Sequence, residues 1–138
     1  MKEKVKISAQ VAAPLDKVWA YWNYPEHITK WNYASDEWHC PSAKSDFQDG
    51  GKFSSRMEAK DGSMGFDFGG TFVSIEPHQR IHTLLDDDRN VVVTFEERDG
   101  GTLVTEEFEA EDQNPVELQK QGWQAILNNF KSYTENYD

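Results

Sequence analysis

Apolar positions along the chain change their period twice. Val5, Ile7, Ala9 and Val11 alternate with Lys6, Ser8 and Gln10, which predicts a strand. Pro14 then suits the first turn of a helix, and Val18, Trp19 and Trp22 follow at helical spacing. The break at Asn23-Tyr24-Pro25 ends that helix, and a second short one runs from Pro25 to Trp31. From Glu37 to Glu109 the period returns to two, with turn signals at Gly50-Gly51, Asp61-Gly62, the Asp86 to Asn90 stretch and Asp99-Gly100-Gly101. This region predicts strands near Glu37–Phe47, over Lys52–Ala59, from Met64 to Ile75, over Arg80–Leu85, Val91–Glu97 and Thr102–Glu109. Within the third of these, Gly69-Gly70 reads as a bulge or bend that interrupts the alternation.

After Asn114-Pro115 the period lengthens again. Val116, Trp123, Ile126, Leu127, Phe130 and Tyr133 fall on one face of a helix of about 22 residues, roughly 33 Å long. Asn114 is placed to cap it, with Pro115 at its first position and Glu117 near its positive end. The expected order is therefore β-α-α-β6-α, an α+β fold in which a curved antiparallel sheet of about seven strands packs on one long helix. One helix about 10 Å wide does not fill the concave side of such a sheet. Large side chains must fill the rest, or it remains a cavity.

Composition sharpens this picture. The chain has 138 residues and a formal charge of −11, with Lys+Arg 14 against Asp+Glu 25. This length suits one domain spanning residues 1–138. Eight Phe, five Trp and five Tyr exclude intrinsic disorder, and the acidic balance argues against a nucleic-acid partner. There is no apolar run of signal-peptide or membrane-helix length, and a single cysteine, Cys40. These features lead us to expect a cytoplasmic protein, monomeric or homodimeric, with no membrane association.

Five motifs in order carry a family resemblance: Ala13-Pro14 through Val18-Trp19, Pro25-Glu26-His27-Ile28 through Trp31, Gly50-Gly51 through Phe53, Gly69-Gly70-Thr71-Phe72 through Ile75-Glu76-Pro77, and Gly122-Trp123 through Leu127 and Phe130. Together they resemble the START-like, helix-grip superfamily, also called SRPBCC. Within it they are similar to small homologues of the C-terminal domain of the activator of heat-shock protein 90 ATPase. The resemblance implies a deep cavity between sheet and long helix that often takes apolar small molecules. It implies no single activity.

On that basis the candidate ligand-binding residues are Trp123, Leu127 and Phe130 on the helix, facing Phe53, Met57, Phe66, Phe68, Val93 and Phe95 on the sheet. Each can equally be a core residue, since cavity walls are also structural. Trp31, Tyr33 and Trp38 would frame the mouth or plug the core end, and His82 would be an inward polar group or a structural histidine. His78 and His82 lack metal-ligand spacing on a strand, so no metal and no cofactor is expected. Cys40 reads as a small buried hydrophobe, and Glu106, Glu107, Glu109, Glu111 and Asp112 as a solvated acidic stretch. The leading expectation is a non-catalytic binding protein for an apolar or aromatic small molecule. The alternatives are a stress-response co-chaperone module with a chaperone partner, and an enzyme for which His82 is the only nominee.

Overall fold

The computed structural model describes residues 2–137. Its elements are β1 (Lys4–Val11), α1 (Leu15–Asn23), α2 (Pro25–Trp31), β2 (Trp38–Ser45), β3 (Lys52–Ala59), β4 (Gly65–Glu76), β5 (Arg80–Leu85), β6 (Asn90–Arg98), β7 (Gly101–Glu109) and α3 (Val116–Asn136). The strands form one antiparallel sheet in the order β1-β7-β6-β5-β4-β3-β2. From β2 to β7 the sheet is a meander of hairpins. The turn between β6 and β7 has Asp99 at φ 52° and Gly100 at φ 80°, the paired left-handed residues a tight hairpin favours. Only β1 departs from chain order, returning beside β7, so α1 and α2 must carry the chain from one sheet edge to the other. The expected β-α-α-β6-α fold is the one observed. No helix among the described residues is long and apolar enough to cross a membrane.

Alternation fixes which face is inner. In β1 the buried residues are Val5, Ile7, Ala9 and Val11, and in β6 they are Val91, Val93 and Phe95. Leu127 and Phe130 of α3 are fully buried against this face. At one end of the groove α1 and α2 fill the space with rings. Phe130 lies edge-on to Trp22 at 4.9 Å and to Trp31 at 5.0 Å, and Phe95 meets Trp19 at 5.0 Å. The Trp31 indole N–H donates to the Tyr21 carbonyl at 3.0 Å, which anchors the plug to α1.

Two local expectations are corrected. The register shift in β4 lies between Phe72 and Ser74, while Gly69 and Gly70 stay paired within the strand. These glycines serve close approach instead: a Cβ on Gly70 would sit 2.4 Å from the Leu84 carbonyl oxygen, and one on Gly69 2.6 Å from that of Phe53. The shift at Val73 turns Val73 outward and lets both Phe72 and Ile75 pack on the core. At the start of α3, Pro115 rather than Asn114 is the capping residue, and no side chain caps there. The buried Gln119 side chain does the fastening. Its amide donates to the carbonyls of Asn114 at 2.8 Å and Glu111 at 3.0 Å, and its oxygen accepts from the Glu111 N–H at 2.9 Å.

Gly70→Ala should therefore cost at least about 2 kcal/mol in chemical unfolding, because the clash is with backbone. Gly122→Ala in α3, where a Cβ meets nothing within 4 Å, should be neutral or stabilising by up to about 1 kcal/mol. Equal effects at the two sites would contradict this account of the β4 glycines.

Candidate functional site

Between α3 and the inner face of the sheet lies a cavity of about 340 Å³. This falls within the usual range for small-molecule sites. Trp22, Ile28 and Trp31 of the short helices wall one end, and Trp123 and Ile126 of α3 form one side. The sheet contributes Phe53, Met57, Phe66, Phe68 and Phe72, then Ile81, Leu85, Val91 and Val93. Trp123 is held in place by stacking on Phe108 at 4.0 Å and 8°, and Phe68 approaches it edge-on at 6.0 Å. Lys44 and Phe66 are the exposed members of the lining; Phe66 is 49% exposed, so they mark the open side.

Seven of the twelve residues expected from sequence line this cavity: Trp31, Phe53, Met57, Phe66, Phe68, Val93 and Trp123. Five do not. Leu127, Phe130 and Phe95 face inward but are enclosed in the packed end beside α1 and α2. Trp38 is half-buried outside the wall, its ring 5.9 Å from that of Phe66. His82 is the clearest correction. Ile81, Thr83 and Leu85 take the inner face of β5, so alternation sends His82 outward, where its Nε2 meets Asn90 Oδ1 at 2.8 Å. Asn90 in turn donates its backbone and side-chain N–H groups to Glu109, holding that carboxyl below its ordinary range. Tyr33 also stays out of the lining, bordering a surface crevice between α2 and the end of α3. Cys40 is buried, with its thiol pushed up by burial, as befits a small hydrophobe.

The largest departure is Glu106. Expected in a solvated acidic stretch, it is only 8% exposed and lines the cavity. The inner face of β7 reads Thr102, Val104, Glu106 and Phe108, all buried, as is Ala110 just beyond it, while Glu107 and Glu109 take the outer parity. That alternation is present in the sequence and identifies Glu106, but a run of acids masks it. Directly opposite Glu106 stand Ile7 on β1 and Val93 on β6, both apolar. Among the described residues its carboxyl has neither a hydrogen-bond partner nor a counter-ion. Burial alone pushes its pKa up to about 8, so at neutral pH it is mostly the neutral acid. The other polar lining groups are Asn23, Asn32, Ser45, Ser55 and Thr83, with Lys44 and Arg89 as cations. No group of three or more His, Cys, Asp or Glu among the described residues is arranged to hold a metal ion.

A carboxyl whose pKa is raised on folding makes the native state bind more protons than the unfolded chain between about pH 4.5 and 8. Its contribution to stability is therefore lost as pH rises through that window. Glu106→Gln should be close to neutral at pH 5 and stabilising by roughly 3–5 kcal/mol at pH 9, at about 1.4 kcal/mol per pH unit. Urea unfolding of both proteins across pH 5–9 measures this. A pH-independent difference would mean that Glu106 ionises as if in water.

Comparisons with known proteins agree with this architecture. Residues 12–135 match the family model described as activator of Hsp90 ATPase homolog 1-like protein. An AHSA1-like protein from Aeromonas hydrophila, solved in solution, is 44% identical, with 96% of this chain and 92% of that chain covered and a TM-score of 0.91. A protein from Cytophaga hutchinsonii is 49% identical over 98% of this chain and 92% of its own, with a TM-score of 0.80. A crystal structure from Nitrosomonas europaea shares the fold at 19% identity, with 94% of this chain and 92% of that one covered and a TM-score of 0.79. No curated protein matches the chain.

Proposed function

Starting from the premise that the chain belongs to the activator of Hsp90 ATPase homolog 1-like family and has its helix-grip fold, we propose that it is a small-molecule binding protein whose ligand occupies the cavity between α3 and the sheet. The observation that carries this reading is the cavity itself: about 340 Å³, walled by rings from both short helices, α3 and two strands, β3 and β4. A packed core leaves few voids larger than a water molecule, so a space this large needs a purpose. Its lining is mainly aromatic and aliphatic, 14 of 22 residues, the make-up of sites that bury most of an organic ligand. The reading assigns no reaction. A catalytic site needs converging acid and base groups, and among the described residues of the lining Glu106 is the one carboxyl.

The uncharged naphthalene dye prodan tests this directly. It should bind one-to-one with a Kd on the order of 1–10 μM, quenching tryptophan emission from Trp22, Trp31 and Trp123. Thr83→Trp, which adds bulk to the cavity wall, should weaken binding at least about tenfold while the circular dichroism spectrum is unchanged. Undiminished binding to Thr83→Trp would put the dye elsewhere and count against the cavity.

The family description supports a second reading, a co-chaperone module that contacts an Hsp90-class ATPase. In that case the purified protein stimulates such an ATPase, and filling the cavity with Thr83→Trp leaves the stimulation intact.

A further inference from the structure

The cavity holds one group that an apolar ligand alone does not satisfy. Glu106 is buried, lines the cavity and has no partner among the described residues. Burying a carboxyl without a hydrogen bond is costly, and the strands on either side oppose it with Ile7 and Val93, which supply none. Because Glu106 lines the cavity, a ligand there can supply the missing partner. Resting on the cavity-binding reading above, we propose that the site selects an organic amine, with its apolar or aromatic body among the rings and its ammonium paired with the Glu106 carboxylate.

The surroundings suit a cation better than an anion or a neutral molecule. Trp22, Trp31, Trp123, Phe53, Phe68 and Phe72 line the same space, and aromatic faces attract ammonium groups within about 6 Å. The charged groups near Glu106 can be named element by element. From β2 comes Lys44, exposed at the rim. From the turn before β6 comes Arg89, whose guanidinium is already engaged, Nε donating to Asp87 at 2.8 Å and Nη1 to the Glu109 carbonyl at 3.4 Å. The lining residues of β3, β4, β5, β6, α1, α2 and α3 carry no titratable group, and His82 and Glu109 point to the other face of the sheet. The net charge of −11 adds a long-range field that raises the local concentration of cations and disfavours anions.

The proton balance is explicit. With its pKa near 8, Glu106 is mostly protonated at pH 7 in the free protein. When an ammonium ion binds, the Glu106 O–H bond breaks, its proton leaves to solvent and the carboxylate pairs with the ligand N–H groups. When the free amine binds, that same proton passes from Glu106 to nitrogen and an N–H bond forms. Both routes end at one ion pair. Starting from the ammonium form that dominates in solution, close to one proton is released per molecule bound at pH 7.

Calorimetric titration of the full chain with phenylbutylamine, phenylbutanol and phenylbutyrate tests this, using buffers of different ionisation enthalpy. We expect phenylbutylamine affinity to rise about tenfold from pH 6 to pH 7, to level off above pH 8, and to exceed that of the alcohol at pH 8 by at least about tenfold. Glu106→Gln should abolish the proton release and the pH dependence, and lower phenylbutylamine affinity about tenfold or more, with less than about a threefold change for phenylbutanol. Equal affinity for amine and alcohol, or amine binding without proton release, overturns the proposal. If none of the three binds while prodan does, the amine inference falls and the cavity reading stands. If prodan fails as well, both fall.

Discussion

One helix covers the concave face of a seven-stranded sheet, and the rest of the structure follows from that mismatch. A helix with its side chains is about 10 Å across, whereas adjacent strands add about 4.8 Å each, so α3 spans only part of the sheet. Leu127 and Phe130 seal α3 against one end, and α1 and α2 extend the seal with Trp19, Trp22 and Trp31. Beyond that plug the described residues offer no further element to bring in. The remaining inner face must be closed by side chains that reach across, as Trp123 does in stacking on Phe108. What they do not fill is the cavity.

The placement of Glu106 makes sense only within this arrangement. In a filled core a carboxyl opposite Ile7 and Val93 would be expelled or replaced, because nothing nearby offers it a hydrogen bond. At the wall of a cavity the same carboxyl is held mostly neutral at pH 7 by burial and borders the open space. Stability and recognition then pull in opposite directions at this residue. Sites that bind ligands commonly sacrifice stability in this way. The outer face shows the contrast: Glu109, three residues along β7 and of opposite parity, is tied to Asn90 and held below the usual carboxylate range.

Element types, their order and the helix-covered sheet were legible from periodicity, because each strand is half-buried and α3 has one apolar face. Part of the cavity lining was legible too, at Trp31, Phe53, Met57, Phe66, Phe68, Val93 and Trp123. Two things defeated the rest. Position along the groove is a tertiary property, so Phe95, Leu127 and Phe130 face inward yet lie in the packed end rather than the cavity. Composition can also hide alternation: the acids around Glu106 suggested a solvated run, although Val104 and Phe108 on either side set its parity inward. His82 failed for the related reason that its neighbours Ile81 and Thr83 claim the inner face.

The central claim is that this chain holds an organic molecule inside the sheet rather than on its surface. The most direct measurement is a methyl-detected NMR titration with prodan. The account predicts shifts concentrated at the cavity methyls of Ile81, Leu85, Val91, Val93 and Ile126, saturating at one equivalent, with outward-facing Val73 and Val92 unmoved. Shifts confined to Val73 and Val92, or no saturable shift at the cavity methyls, would contradict it.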